Sequence, residues 1–205
     1  MYTKYSSFPV LINAKTAPNA MKYLPLFTLM LLSWNPTISQ ERYKVNNKLS
    51  EIKIEGTSSL HDWYALAETI QGKAEMSLSN KTLEKLHELW LSIPVYSIKG
   101  EKNGMNKDIY EALKAKEYAK INLKLTESRI EDTSVFYTIQ LSIAGNSKIV
   151  NGKSNITLIK NGMNAQGDFK IKLTDFGITP PKAVFGTLKV GDEIHLSYSI
   201  VFEKE

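Results

Sequence analysis

A strict alternation of apolar and polar residues recurs along most of this chain. Its clearest stretch lies near the end, where apolar residues occupy every second position: Ile194, Leu196, Tyr198, Ile200 and Phe202. Because successive side chains of a β-strand point to opposite faces of a sheet, this pattern predicts strands with one apolar side. That side has to be covered, and closure of the sheet into a barrel covers it.

Two short segments depart from the alternation and are predicted to be helices. The first spans residues 80–87 and the second residues 106–114, and each begins at an asparagine, a common N-cap residue. The second helix either covers one mouth of the barrel or packs on its outer surface. Asn151-Gly152 predicts a β-turn, and Pro94 predicts an edge, a bulge or a break in strand pairing.

The beginning of the chain has the features of an export signal. A basic start at Met21-Lys22 precedes an apolar run over residues 24–32, and small residues then favour cleavage after Ser39 or Gln40. The apolar run is much shorter than the roughly 20 residues of a membrane-spanning helix, so a cleavable signal is favoured over an anchor.

The chain therefore divides into a leader and one folded domain. Residues 21–40 are predicted to be the signal peptide, residues 1–20 an upstream extension, and residues 41–205 the domain. The mature protein is expected in the periplasm or outside the cell. These 165 residues can bury roughly 70% of the surface of the unfolded chain, which is enough for one core.

The charge of the domain is nearly balanced. The whole chain carries 26 Lys and Arg against 21 Asp and Glu, and three lysines but no acid lie in the leader, which leaves 23 against 21. No basic run suited to tracking phosphates occurs, so no nucleic-acid partner is predicted. The chain has no cysteine, which excludes disulfides, thiolate metal ligands and a cysteine nucleophile.

Three blocks of the domain resemble the YceI-like (polyisoprenoid-binding) family. They are Gly56-Thr57-Ser58-Ser59-Leu60-His61-Asp62-Trp63, the stretch from Met105 to Lys114 followed by Ile121, and Thr174-Asp175-Phe176-Gly177-Ile178 with Pro180-Pro181 and Val184-Phe185-Gly186. The blocks span essentially the whole domain in the expected order, which is more specific than any one motif.

The resemblance implies a fold and a function. The fold is all-β, a lipocalin-like eight-stranded antiparallel β-barrel with one or two short helices. The implied function is that of an exported, non-catalytic binding protein for transport, storage or sequestration. Its partner is a long-chain isoprenoid or another amphiphilic lipid, held inside the barrel. No cofactor other than such a lipid is implied.

The residues expected to contact this ligand follow from the alternation, because the resemblance carries no short polar signature. They are the apolar-side residues of the later strands: Ile121, Leu123, Leu125, Val135, Tyr137, Ile139, Leu141, Phe169, Ile171, Leu173, Leu196, Tyr198 and Ile200. Their expected role is apolar enclosure, to which Tyr137 and Tyr198 add a hydroxyl contact.

No catalytic or metal site is predicted. His61-Asp62 is the one acid–base pair of interest, and turn stabilisation, headgroup contact and catalysis all remain open for it. His87 and His195 are predicted to be isolated surface residues, and no histidine spacing suits a metal. Trp63 and Trp90 are predicted to pack at barrel ends.

Several alternatives remain open at this level. An apolar interior suits a solid core as well as a ligand cavity. An outer-membrane barrel also alternates with period two, although its apolar side faces outward. A small-molecule enzyme in a lipocalin-like cup would need polar groups such as His61 or Glu68 inside. A homodimer, or another protein as partner, is also left open.

Overall fold

The computed structural model describes residues 40–79, 82–183 and 188–205. The predicted leader up to Ser39, the asparagine cap of the first predicted helix and the block Val184-Phe185-Gly186 lie outside the described residues. The strands are β1 Gln40–Val45, β2 Glu51–Ser58, β3 Trp63–Ala67, β4 Gln71–Ser79, β5 Thr82–Pro94, β6 Ile98–Gly100, β7 Lys120–Glu131, β8 Ser134–Ile143, β9 Asn146–Ile159, β10 Gly162–Lys172, β11 Lys182–Ala183 and β12 Leu188–Lys204. Helix α1 spans Asn103–Ala112, and 3₁₀ turns span Val95–Ser97 and Leu173–Phe176.

Eight strands close into an antiparallel barrel, as predicted. Each pairs with the next in the order β1, β4, β5, β7, β8, β9, β10, β12, and β12 then pairs with β1. The long strand β12 makes this closure, since one edge pairs with β10 while the other pairs with both β2 and β1. From β2 the wall continues through β3 to β6.

The alternation sets the inside and the outside of the wall. On β7, Lys120, Asn122 and Lys124 are exposed, whereas Ile121 and Leu123 are half-buried and pack against the core. The same parity rule holds on β12, where Ile194 and Ile200 are buried. On these two strands the alternating apolar side chains thus face inward, and the charged side chains between them face outward. Among the described residues, no helix is long and apolar enough to span a membrane.

The predicted helix over residues 80–87 is wrong, because the described part of this segment belongs to strand β5. Two register shifts in the pairing of β4 with β5 each insert one extra residue into β5, Glu84 and His87. Each β-bulge lengthens the spacing between inward positions from two residues to three. Leu83, Leu86 and Leu89 consequently acquire the i, i+3 spacing that sequence reading associates with a helix.

Asn151-Gly152 does not form the predicted turn. Both residues lie inside β9, which runs without interruption from Asn146 to Ile159. Gly152 pairs with Tyr137 of β8, so its small size serves a packing contact rather than a reversal of the chain. The turns lie at the two ends of β9, at residues 144–145 and 160–161, and Ala144 and Gly145 in the first adopt positive φ values of 47° and 83°.

Helix α1 begins earlier than the predicted start at Asn106. Its N-cap position is Lys102, which makes no side-chain capping hydrogen bond. The side chain of Asn106 instead accepts a hydrogen bond of 2.8 Å from the backbone N–H of Gly100 in β6. Asn106 therefore ties the helix to the barrel wall.

Pro94 is the last residue of β5 and is followed directly by a 3₁₀ turn. Pairing of β5 with β7 ends at Pro94, which still pairs with Lys120, so of the predicted edge, bulge or break it is the break that occurs. Beyond the turn, the chain continues as β6, which pairs with β3 instead of β7. The break thus allows one continuous stretch of chain to join two parts of the wall.

Candidate ligand cavity

The inside of the barrel contains two neighbouring cavities. The larger has a volume of about 210 Å³ and the smaller about 110 Å³. The side chains that line both are Ile54, Ile98, Ile121, Ile143 and Leu196. For comparison, an apolar cavity of about 150 Å³ holds a benzene-sized molecule. The interior is therefore incompletely filled by its own side chains and offers room for a larger apolar group.

The larger cavity lies between the barrel wall and helix α1. Met105, Ile109 and Leu113 line it from the side of the helix, and Ile194 and Val190 line it from β12. Ile109 and Leu113 also pack against the core cluster. The helix thus covers one mouth of the barrel, which decides between the two positions left open by the sequence.

Polar groups of the larger cavity are few. They belong to Ser58, His61, Trp63 and Asp108, and the side chains of His61 and Asp108 are exposed. The Oγ of Ser58 donates to the backbone carbonyl of His61, and the His61 ring nitrogen Nδ1 lies 2.7 Å from the carbonyl oxygen of Asp62. The His61 turn is therefore held by local hydrogen bonds at the edge of the cavity.

The smaller cavity lies deeper in the barrel. Its walls come from β2, β5, β6, β7, β8, β9, β10 and β12, and its polar side chains are those of Tyr137, Ser154 and Tyr198. Among the residues that the structure describes, no charged side chain lines it.

Most of the predicted contact residues line these cavities. Ile121 and Leu196 line both cavities, and Ile171 and Leu173 line only the larger one. The residues that line only the smaller cavity are Leu123, Tyr137, Ile139, Leu141, Phe169, Tyr198 and Ile200. Leu125 and Val135 line neither cavity. Val135 is buried in the core cluster, and Leu125 directly precedes a register shift between β7 and β8. Contact of any of these residues with a ligand remains a prediction.

The sequence reading missed the residues that close the larger cavity. They are contributed by helix α1, the second 3₁₀ turn and the segment after it, and include Met105, Ile109, Phe176 and Ile178. The i, i+4 spacing of Ile109 and Leu113 was an available signal, because it defines one apolar side of a short helix. Phe176 and Ile178 carry no such period, and only the fold brings them to the cavity.

Three hydroxyl groups form a connected cluster in the smaller cavity. The Oγ of Ser154 lies 2.6 Å from the Oη of Tyr198, which in turn donates to the Oη of Tyr137 at 3.0 Å. Burial raises the pKa of both tyrosines above the usual range, most strongly for Tyr137. Both hydroxyls therefore stay protonated at neutral pH and act as neutral hydrogen-bonding groups.

Two glycines make room for this cluster. Gly152 pairs with Tyr137, and a Cβ atom at Gly152 would lie 2.7 Å from Cε2 of that ring. Gly167 pairs with both Ser154 and Tyr198, and a Cβ atom there would lie 2.8 Å from Cζ of Tyr198. Real side chains do not make contacts this short. The absence of a side chain at both positions thus leaves room for the two tyrosine rings, whose hydroxyls form a hydrogen bond with each other.

The remaining histidines are less isolated than predicted. His195 lies on the outer face of β12, with Nε2 3.1 Å from Asp168 and Nδ1 3.7 Å from Glu55. His87 occupies a bulge of β5, where its Nε2 lies 2.8 Å from the Oγ of Ser77. Neither lines the two cavities. The described residues contain no group of three or more potential metal-binding side chains.

The two tryptophans occupy different positions. Trp63 lines the larger cavity, packs over Gly56 and donates from Nε1 to the carbonyl of Thr57 at 3.1 Å. Its predicted packing role at a barrel end is consistent with this position. Trp90 is 42% exposed on the outer side of β5, so its predicted packing role at a barrel end finds no support in this position.

Comparison with known proteins places the chain among related barrels. Residues 43–202 match the model of the YceI-like domain family. No curated protein sequence matches the chain. Similar solved structures include BcnA of Burkholderia cenocepacia, with 14% identity, a TM-score of 0.65 and coverage of 77% of this chain and 98% of that chain.

Two further solved structures are also similar. One is a polyisoprenoid-binding domain from Saccharophagus degradans implicated in plant cell wall breakdown, with 12% identity, a TM-score of 0.62 and coverage of 80% of this chain and 98% of that chain. The other is the YCEI protein of Campylobacter jejuni, with 20% identity, a TM-score of 0.53 and coverage of 65% and 81%. At these identities the structural likeness shows a shared fold. Since the sequence match extends over most of the chain as well, the chain belongs to the YceI-like domain family.

Proposed function

We propose that this protein is an exported, non-catalytic binding protein that encloses a long isoprenoid-type chain within its barrel, for transport, storage or sequestration. The observation that carries the proposal is the pair of neighbouring apolar cavities inside the closed wall. Family membership supports a binding role, and the leader pattern supports export.

The energetics favour a long ligand over a short one. Each buried CH₂ contributes about 0.8 kcal/mol, so about ten enclosed methylenes contribute about 8 kcal/mol, against a cost of about 4–15 kcal/mol for association and ordering. A short apolar molecule therefore binds weakly. A longer chain that extends through both cavities buries more methylenes against the same cost of association and therefore binds more tightly.

The arrangement of acid–base groups supports a non-catalytic role. The histidine with two acidic neighbours, His195, lies on the outer wall, and Glu68 is exposed. His61 and Asp108 reach the edge of the larger cavity from exposed positions. A catalytic constellation requires groups that converge on one reacting atom, and the deeper cavity offers only hydroxyl groups.

The binding proposal is tested by filling the smaller cavity. Ala165 lines that cavity, whereas Gln166, the next residue on β10, is exposed. We expect Ala165→Phe to reduce the lipid recovered by organic extraction and native mass spectrometry of purified protein, and Gln166→Phe to leave it unchanged. Circular dichroism melting of both variants checks that each is folded. The proposal would be contradicted if the wild-type protein carried no lipid after purification and also failed to bind long prenyl probes.

Export is tested separately from binding. The full chain is expressed in a Gram-negative host, and cells are treated by osmotic shock without detergent. We expect the released protein to begin after Ser39 or Gln40 on N-terminal sequencing. A chain that stays in the cytoplasm with an intact N-terminus would contradict export and leave the binding proposal standing.

A further inference from the structure

The hydroxyl cluster of Tyr137, Ser154 and Tyr198 has more donors than it uses. Each hydroxyl carries one proton, so the three groups supply three protons. They make two hydrogen bonds with one another, and no further partner of the Tyr137 hydroxyl occurs among the described residues. Tyr198 donates its one proton to Tyr137, so Ser154 must be the donor in its hydrogen bond with Tyr198. The proton of the Tyr137 hydroxyl is then not used within the cluster.

Tyr137 lines the smaller cavity, where all other lining side chains except Ser154 and Tyr198 are apolar. The Tyr137 hydroxyl accepts from Tyr198, but its own proton has no acceptor among the described residues, and a buried donor without an acceptor is unfavourable. The position is also not an accident of loose packing, because Gly152 and Gly167 leave the space that the two rings occupy. A ligand inside the cavity would supply the missing acceptor.

The surroundings of the donor select the kind of acceptor. No charged side chain among the described residues lines this cavity, so a phosphate or carboxylate would enter without a compensating cation. A buried ion without a partner is strongly unfavourable. An uncharged oxygen atom needs no compensating cation, and it can accept the one hydrogen bond that the Tyr137 hydroxyl has left to donate.

We propose that Tyr137, Tyr198 and Ser154 form a binding subsite for an uncharged oxygen atom, of an alcohol, ether or ketone, carried by an otherwise apolar chain. This inference rests on the proposed function, since it concerns a ligand inside the same barrel. It specifies the ligand as a chain whose neutral oxygen end reaches the deeper cavity. The remaining apolar part then occupies the larger cavity beneath helix α1.

The test compares ligands that share one prenyl chain and differ only at its end. The probes are geranylgeraniol, its methyl ether, the hydrocarbon without the oxygen, and geranylgeranyl diphosphate. Affinities are measured by displacement of diphenylhexatriene from the wild type, from Tyr137→Phe and from Tyr96→Phe. Tyr96 is an exposed tyrosine outside both cavities and serves as the matched control.

We expect the wild type and Tyr96→Phe to bind the alcohol and the ether about fivefold more tightly than the hydrocarbon, the effect of one neutral hydrogen bond. Tyr137→Phe should abolish this difference while its affinity for the hydrocarbon stays within about twofold of wild type. Tyr198→Phe, which interrupts the cluster, should reduce the difference in the same direction.

Three outcomes would overturn the subsite while the proposed function stands. They are equal binding of ether and hydrocarbon by the wild type, an equal loss for all probes in Tyr137→Phe, and a preference of the wild type for the diphosphate. Failure of the wild type to bind any probe would instead overturn the proposed function, and the subsite with it.

Discussion

Tyr198 on β12 pairs with Gly167 on β10, and the end of its ring occupies the space that a side chain at Gly167 would need. The same glycine is close to the backbone carbonyl of Lys153. A methyl group at this position would therefore meet an aromatic ring and a rigid backbone atom. Gly167 is required by close packing, because its conformation is that of an ordinary strand.

We expect Gly167→Ala to lower the free energy of unfolding by about 1–3 kcal/mol, the usual cost of overpacking. Gly104 is the matched control, since a Cβ atom there meets nothing within 4 Å and the residue lies in helix α1. Gly104→Ala should raise the free energy of unfolding by about 0.5–1 kcal/mol through helix propensity. Urea denaturation measures both variants, and equal stability of the two would contradict the packing role of Gly167.

Helix α1 should control access to the larger cavity. Ile109 lines that cavity from the helix, so Ile109→Asp places a charge against an apolar space. Because desolvation of a charge costs several kcal/mol, we expect the affinity for diphenylhexatriene to fall by at least about tenfold. Lys107→Asp, at an exposed position of the same helix, should leave the affinity unchanged. If both variants bind the probe like wild type, the helix does not cover the binding space.

Asn106 should stabilise the attachment of the helix to β6. Its side-chain oxygen accepts from the part-buried N–H of Gly100, and Asn106→Ala leaves that donor without an acceptor. We expect a loss of about 1–3 kcal/mol in urea denaturation and faster hydrogen exchange at the Gly100 amide. Asn106→Asp keeps an acceptor at the same place and should retain most of the stability. Unchanged exchange at Gly100 in Asn106→Ala would rule out this role.

Asp192 should contribute a pH-dependent part of the stability. It accepts hydrogen bonds from the backbone N–H of Thr174 at 2.9 Å and from its hydroxyl at 2.7 Å. These bonds, the backbone one first, lower the pKa of Asp192 from its ordinary value of 3.8. The unfolded state therefore binds the proton more readily, and stability from this group is present above pH 3.8 and lost as the pH falls through the lowered pKa.

The measurement is the difference in thermal unfolding midpoint between the wild type and Asp192→Asn as a function of pH. We expect the wild type to be more stable at neutral pH and the difference to shrink as the pH falls below 3.8. Asp175→Asn, an exposed position in the 3₁₀ turn that contains Thr174, is the control and should show a smaller difference. A difference that stays constant down to strongly acidic pH would exclude the charge of Asp192 as its cause.

The sequence predicts the wall of this barrel well, because period-two alternation reports directly which side chains share a face. It fails where the period changes. The two bulges of β5 stretch the spacing of Leu83, Leu86 and Leu89 into a helical pattern, and bulges depend on the partner strand rather than on local residues. β1 was missed because its six residues begin at the last residue assigned to the leader.

The candidate site was predictable to the same extent. Inward residues of the later strands, such as Ile139 and Leu196, do line the cavities, since parity alone assigns their side. The role of Gly152 was not accessible, because Asn-Gly signals a turn unless a partner strand places a tyrosine opposite it. Whether the interior is solid or hollow depends on how volumes fit in three dimensions, and the residue pattern carries no such information.

Strand β12, at the end of the described chain, joins β10 on one edge and both β2 and β1 on the other. Every strand that it connects precedes it in the chain. The barrel therefore cannot close until β12 is in place, and β10, β2 and β1 each keep one unpaired edge until then. Removing the last few residues of β12 should accordingly produce a chain that aggregates through its exposed strand edges and does not form a smaller closed barrel.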